Sequence, residues 1–373
     1  MKKIGMLILV LITAVLICPT VCASQEGADR ITQQVNERLE EILDEDTKEY
    51  LRENSIDAQG AEAASQLDEA GVFSRLWKMF TDALAAPWKM LVKLMGIAAA
   101  YGALSALRNE GSSTDKVFGV VCRLSMAAAV SGSISAIFEK LRESVEAVNT
   151  FMISYIPLFS AVTTAGGAPV TAGSYSAGTL LVCEVSAWAA SGVMMPLLSA
   201  VTAMTMVSAI DPRLTFAGAA QTIKKLVCWL LASVSMIFTG LMSIKGISAA
   251  AADNLAAKTL RFAASSFIPV IGATVNDAFA AVKGSVGVIR SATGVIGIVG
   301  VFFIAARPLL LILAMRLMLW AGQLINELMG LKDCAEMLKN LGSVMGIAGA
   351  ILLTLASVFI VSTALVMRAA GGA

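Results

Sequence analysis

Long uncharged stretches are the feature that most restricts how this chain can fold. Residues 185–210, 226–244 and 344–367 contain no charged side chain. Each stretch is close to or above the roughly 20 residues that an α-helix needs to cross the hydrocarbon core of a bilayer. Only 15% of the 373 residues are charged, which is too little to cover the surface of a water-soluble protein of this size. The sequence therefore predicts an all-α polytopic membrane protein.

We expect about seven membrane spans in the body of the chain, residues 87–373. Besides the three uncharged stretches, the candidate spans are residues 90–107, 117–138, 291–306 and 308–328. The positive-inside rule places the basic segment 211–225 in the cytoplasm. The acidic segments 139–146 and 327–339 suit the outer side. Seven spans from an external N-terminus put the C-terminus in the cytoplasm, but the basic segment 245–261 then lies outside, against the rule.

The first 86 residues differ from this body. Residues 1–23 have the layout of a cleaved signal peptide, with two lysines, an apolar core and a Val-Cys-Ala sequence before Ser24. The alternative is an uncleaved first span. Residues 24–86 carry 15 acidic and 6 basic side chains, a net charge of −9. We expect them to form an acidic, helical, extracytoplasmic region. Residues 72–90, across the end of this region, are either an interfacial helix or the ordinary start of a helix.

Two apolar segments contain too many helix-breaking residues for smooth lipid-facing helices. They are residues 151–182 and 267–283. Non-helical backbone at membrane depth is tolerated only where protein or a water-filled cavity covers it. The sequence therefore predicts re-entrant hairpins or discontinuous helices, which are also the expected lining of any pathway. The candidate helix breaks are Pro157, Gly166, Gly167, Pro169, Pro196, Pro269 and Pro308.

An internal duplication is suggested by two pairs of short strings that lie 112 residues apart. The sequence Ser-Tyr-Ile-Pro ending at Pro157 matches Ser-Phe-Ile-Pro ending at Pro269, and the Pro-Leu-Leu beginning at Pro196 recurs at Pro308. The corresponding repeats are residues 117–225 and 226–339. Chance matching of short apolar strings is the alternative. Duplicated membrane units are common in transporters.

Four polar residues are candidates for intramembrane or pathway positions. Glu184 is the one acid between residues 147 and 210, and an unpaired acid at membrane depth is costly. Arg316 is its best-placed basic partner, with Arg123 and Arg290 next. The alternative for Glu184 is a position at a span end, facing the headgroups. Small residues allow close helix packing in lipid, and the candidates for this role are Gly287, Gly294 and Gly297.

Several kinds of catalytic site are absent from the sequence. The chain has no histidine, which excludes Ser-His-Asp and Cys-His arrangements and the HExxH zinc motif. The cysteines outside residues 1–23 are isolated, with no CxxC pair. We therefore expect no enzyme activity, no metal and no cofactor. The basic excess in residues 87–373 favours cytoplasmic loops and a lipid bilayer as partner rather than a nucleic acid.

One block of sequence resembles a known family. Residues 249–253 (Ala-Ala-Ala-Ala-Asp), 258–262 (Lys-Thr-Leu-Arg-Phe), 266–272 (Ser-Phe-Ile-Pro-Val-Ile-Gly) and 277–278 (Asp-Ala) are similar to the stage III sporulation protein AE family. The order of parts agrees as well: a signal peptide, a polar region, a polytopic body and a closing span.

The resemblance implies a function in an endospore-forming bacterium. Members of the family belong to a multiprotein channel, likened to secretion machinery, that links mother cell and forespore. The implied location is the mother-cell membrane around the forespore, and the implied task is to sustain forespore development. The implied partners are other membrane proteins of that channel, and self-association is open. The alternative is a stand-alone transporter of a small solute, built on the repeat.

Overall fold

The computed structural model describes residues 30–53, 69–106, 113–211, 216–267 and 272–371, and these are helical apart from short connections. The all-α prediction is therefore confirmed. The signal peptide and Pro269 lie outside the described residues. The helices are α1 (30–42), α2 (Glu45–Glu53), α3 (Glu69–Ala106), α4 (Ser113–Ala165), α5 (Pro169–Trp188), α6 (Met195–Ile210), α7 (Ala217–Phe267), α8 (Gly272–Leu328) and α9 (Lys332–Gly371).

Six helical segments are long and apolar enough to cross a membrane. They are Gly71–Leu104, Val117–Ala165, Pro169–Ile210, Ala217–Met242, Gly284–Leu328 and Lys332–Arg368. The described residues thus contain six such segments rather than the expected seven. The difference arises in α8, where the two spans predicted on either side of Pro308 form one continuous helix.

The helix also continues through Pro157 in α4 and through Pro87 in α3. No interruption is therefore present at Pro157 or Pro308, and the boundary expected after residue 86 falls inside a helix. A proline removes one backbone hydrogen bond from a helix, and neighbouring helices can compensate for that loss. Residues 151–165 accordingly belong to α4, and the helix ends only after residue 165.

Two glycines close the helical hairpins. Gly167 has φ 82° after α4, and Gly330 has φ 76° after α8. At each end, a backbone N–H bonds back five residues, Ala168 to Thr163 and Leu331 to Asn326. This pattern is a common helix C-terminal motif that needs a left-handed residue, which glycine adopts without strain. The chain therefore does break at Gly166 and Gly167, and α5 starts at Pro169.

Helices α5 and α6 form one rod, joined by a π-helical turn at Ala189–Met194. Pro196 follows this wide turn directly and lies in the first turn of α6. A π-bulge inside an α-helix is a common way to fit a local irregularity without ending the helix. The rod Pro169–Ile210 has 42 residues, so it is about 63 Å long. That is twice the roughly 30 Å thickness of the hydrocarbon core.

The long helices form an antiparallel bundle with α9 at its centre, where it packs against α4, α5, α6, α7 and α8. Tyr155 on α4 donates a hydrogen bond to the Thr293 carbonyl on α8. Far from it on α4, Arg123 pairs with Asp333 at the start of α9. The α8–α9 turn and the N-terminal part of α4 therefore lie at the same end of the bundle.

The predicted sides of two segments require a correction. Lys224 donates a hydrogen bond to the Asn340 carbonyl at 3.2 Å, and Phe216, Asp333 and Glu336 line a common cavity. Segments 211–225 and 327–339 are therefore at the same end of the bundle, so they cannot lie on opposite sides of a membrane. Helix α9 runs from the α8–α9 turn towards the end of the bundle where α3 starts, as an even number of long helical segments requires. The proposed repeats each contain two long helices, and the duplication stays a prediction.

Helices α1 and α2 lie along the half of the bundle that is farther from the α8–α9 turn. Val35 lines a cavity together with Leu158 and Val162 of α4. The Tyr50 ring is 4.9 Å from the Phe303 ring of α8, centroid to centroid. The inner face of α1 is thus apolar. Its exposed face carries five charged side chains, Arg30, Glu37, Arg38, Glu40 and Glu41.

Candidate functional site

The four polar residues selected from the sequence lie in four separate places. Glu184 is exposed on α5, between the exposed side chains of Leu181 and Trp188. Arg316 lies over Gly346 of α9, with its guanidinium carbon 3.2 Å from the position of a Cβ on that glycine. Among the described residues, neither Glu184 nor Arg316 forms an ion pair. The predicted pair between them is not formed.

Arg123 forms the ion pair already mentioned, with an N–O distance of 2.6 Å to Asp333. Its side chain is largely buried, whereas the carboxylate is about half exposed. Arg290 is 4% exposed and points towards Gly166, and its Nε has no hydrogen-bond partner. These two arginines therefore mark opposite ends of the bundle.

The turn between α4 and α5 is held by Asp253 of α7. Its two carboxylate oxygens accept hydrogen bonds from the backbone N–H groups of Val170 and Thr171, at 3.0 and 2.7 Å. Ala168, at the N-cap position of α5, has no side chain that can do this. A carboxylate at a helix N-terminus satisfies free N–H groups and interacts well with the helix dipole.

Two of the three packing glycines are in close contact with neighbouring helices. A Cβ on Gly297 would overlap the ring of Tyr155, and a Cβ on Gly294 would overlap the Met367 side chain. A Cβ on Gly287 would meet nothing within 4 Å. Gly300, one turn beyond Gly297, packs against Phe151. The close approach of α8 to α4 and α9 therefore centres on residues 294–300.

A charged cavity that the sequence did not indicate lies halfway along the bundle. Its volume is about 830 Å³, and α2, α3, α4 and α8 contribute to its lining. Seven of the lining side chains are charged: Glu49, Arg75, Lys78, Asp82, Lys140, Glu143 and Arg307. Arg75 pairs with Glu49 at 3.7 Å. Because its lining combines seven charged side chains from four helices, we take this cavity as the candidate site.

The cavity lies about one membrane thickness from the charged end of the bundle. On α4, Glu143 follows Arg123 by 20 residues, and on α8, Glu327 follows Arg307 by 20 residues. At 1.5 Å per residue, each separation is about 30 Å. Because α4 and α8 are antiparallel, both helices define the same two charged levels. We call the part of the bundle between them the apolar tier.

The surface of the apolar tier is rich in large hydrophobic side chains. Exposed members are Leu124, Trp229, Leu313, Leu317, Trp320 and Leu324. Beyond the cavity, the exposed positions of α4 include the small or polar residues Ser154, Ala161 and Thr164. A water-exposed surface would not present that many large apolar groups in one zone. Large apolar side chains are also exposed beyond the cavity, among them Leu181 and Trp188 of α5 and Leu255 of α7, so apolar surface is not confined to the apolar tier.

One sequence feature of the cavity was visible but was interpreted differently. The charged run 139–146 reads as a loop between two spans. In the structure it is the middle of α4, and its exposed side chains include Lys140 and Glu143. The cavity also needs Glu49 and Arg307, which are far apart in the chain. No local pattern brings these residues together.

A comparison with known families identifies the chain. The sequence model of the stage III sporulation protein AE family matches residues 54–370. This chain belongs to that family. A curated relative, stage III sporulation protein AE of Bacillus subtilis (strain 168), is 26% identical over 173 residues. That match covers 46% of this chain and 43% of the relative, which is less than half of its length. No solved structure matches the chain.

Proposed function

We propose that this protein is an integral membrane subunit of a secretion-like channel complex that connects mother cell and forespore, and that forespore development needs it. The observation that carries the proposal is the extent of the family match. It runs from residue 54 to 370 and so includes all six candidate spans. The proposed location is the mother-cell membrane around the forespore. The proposed partners are other membrane proteins of the complex.

We further propose that the bilayer covers the apolar tier and that the half of the bundle carrying α1 projects from it. The spacing of about 30 Å between the charged levels equals the thickness of the hydrocarbon core. The charged outer face of α1 would be costly in lipid, and it covers only the projecting half. The acidic N-terminal region suits the extracytoplasmic side. The basic segment 211–225 then lies in the cytoplasm.

Purification from sporulating cells tests the membership in a complex. The full chain, tagged at its C-terminus, is extracted in mild detergent, and the same chain expressed in non-sporulating cells serves as control. We expect other sporulation membrane proteins to co-purify from the sporulating cells alone. Recovery of the chain by itself, as a monomer, in both cases would contradict the proposal.

Deletion of the gene tests the developmental role. We expect loss of late forespore gene expression, measured with a fluorescent reporter, and its recovery when the full chain is supplied. Normal reporter expression and normal spore counts in the deletion strain would show that forespore development does not depend on this protein.

A further inference from the structure

The exposed face of α3 divides into two lengthwise sectors of different chemistry. Successive residues of an α-helix are rotated by about 100°, so Lys78, Asp82, Lys89 and Lys93 fall within one sector of about 60°. All four are exposed. We call this sector the lysine stripe. The adjoining exposed sector carries Trp77, Trp88, Val92 and Met95. The opposite face, with Met90, Leu94 and Ala98, is buried against the bundle.

The lysine stripe runs from the charged cavity into the apolar tier. Lys78 and Asp82 line the cavity. Lys89 lies seven residues beyond Asp82, about 10 Å along the helix. Leu94 of α3 is level with Gly322, since a Cβ on that glycine would be 3.4 Å from Leu94 Cδ1. Gly322 precedes Glu327, which marks the charged level near the α8–α9 turn, by only five residues.

Lys89 is therefore near the middle of the apolar tier, about 10 Å from one charged level and about 15 Å from the other. An ammonium group at such a depth is costly in lipid unless it is paired or hydrated. Among the described residues, no carboxylate forms an ion pair with Lys89 or Lys93. The apolar side chains beside them already provide α3 with a lipid-facing sector.

From this arrangement we infer that the lysine stripe and the charged cavity form one water-filled groove, which passes through the membrane part of the protein and carries anionic solutes. The inference rests on the proposed function, because other subunits of the complex have to close the open side of the groove. The stripe has three lysines and one aspartate, a net charge of +2. Rings or rows of basic side chains select anions in membrane pores.

Cysteine labelling of the full chain in native membranes tests the groove. The stripe variants are Lys89→Cys and Lys93→Cys, and the matched controls are Trp88→Cys and Val92→Cys, one residue away in the lipid-facing sector. Cys228 is exposed, so Cys228→Ser is the background. Because thiolates react only where water reaches them, we expect a membrane-impermeant thiosulfonate to label the stripe variants at least about tenfold faster than the controls.

A charge comparison tests the class of solute. The measured quantity is the labelling rate of an anionic thiosulfonate divided by that of a cationic one. We expect this ratio to be higher at Lys89→Cys than at the exposed reference position Ser74→Cys. Equal ratios at both positions would overturn the anion assignment. Labelling of the stripe variants as slow as that of the controls, in protein that accumulates normally, would overturn the groove itself. The labelling uses membranes from sporulating cells in which the co-purification is measured separately, so slow labelling where the partners do co-purify overturns the groove and leaves the proposed function standing.

Discussion

The substitution Gly297→Ala examines the closest helix contact in the bundle. The added methyl group would overlap the ring of Tyr155, which is fully buried and donates a 2.6 Å hydrogen bond to the Thr293 carbonyl. Overpacking of a core costs about 1–3 kcal/mol, and a lost hydrogen bond adds about 1 kcal/mol. Alanine returns about 1 kcal/mol through its helix propensity. The net loss of unfolding free energy is therefore about 1–3 kcal/mol.

The assay is thermal unfolding of the full chain in detergent, followed by tryptophan fluorescence. At about 2 °C per kcal/mol for a chain of this size, Gly297→Ala should lower Tm by about 2–6 °C. Gly287→Ala on the same helix is the control, since its Cβ meets nothing within 4 Å, and it should leave Tm unchanged or slightly higher. In a Tyr155→Leu background, Gly297→Ala should cost at least about 1 kcal/mol less. Equal Tm values for the two alanine variants would show that the contact between Gly297 and Tyr155 is not a close one.

Three further predictions concern substitutions at other contacts of the bundle. Asp253→Ala leaves the first N–H groups of α5 without acceptors, so it should lower the free energy of unfolding by about 1–2 kcal/mol and speed amide exchange there. Asp253→Asn should lose less stability. Unchanged exchange in both variants would contradict the capping role. Gly330→Ala forces a side chain into the left-handed region and should cost about 1–2 kcal/mol in thermal unfolding, with Gly330→Asn clearly milder. Glu184→Arg combined with Arg316→Glu should show a coupling energy below about 0.5 kcal/mol in a double-mutant cycle; a coupling above about 1 kcal/mol would mean that the two side chains do interact.

The sequence was sufficient for the fold class because uncharged runs long enough to cross a bilayer are typical of membrane helices. It was not sufficient for the number of spans, since a proline has the same local signature whether the helix ends there or continues. Pro308 is inside α8, whereas the true break after α4 depends on Gly167 and its left-handed φ. Whether a helix passes through a proline is decided by the packing of its neighbours, which lies outside the local sequence.

The apolar run 344–367 shows why the sequence does not distinguish a helix that faces lipid from one that is buried in protein. It belongs to α9, which crosses both halves of the bundle. This helix is apolar on all sides, with Leu355 and Phe359 buried and Leu353 exposed. A helix that is hydrophobic all round is either buried in protein or surrounded by lipid. The charged cavity escaped prediction for a related reason. Its members come from four helices, and each charge by itself looks like a loop or a helix end.

Spin-label accessibility in lipid bilayers tests most directly where the membrane lies on this bundle. Nitroxides are placed at Leu124 and Leu317 in the apolar tier, and at Ser154 and Ala161 beyond the charged cavity. If the bilayer covers the apolar tier, the first two labels collide with dissolved oxygen and are protected from a water-soluble nickel chelate, while the last two are open to nickel. Protection of Ser154 and Ala161 from nickel, with exposure of Leu124 and Leu317, would contradict that placement.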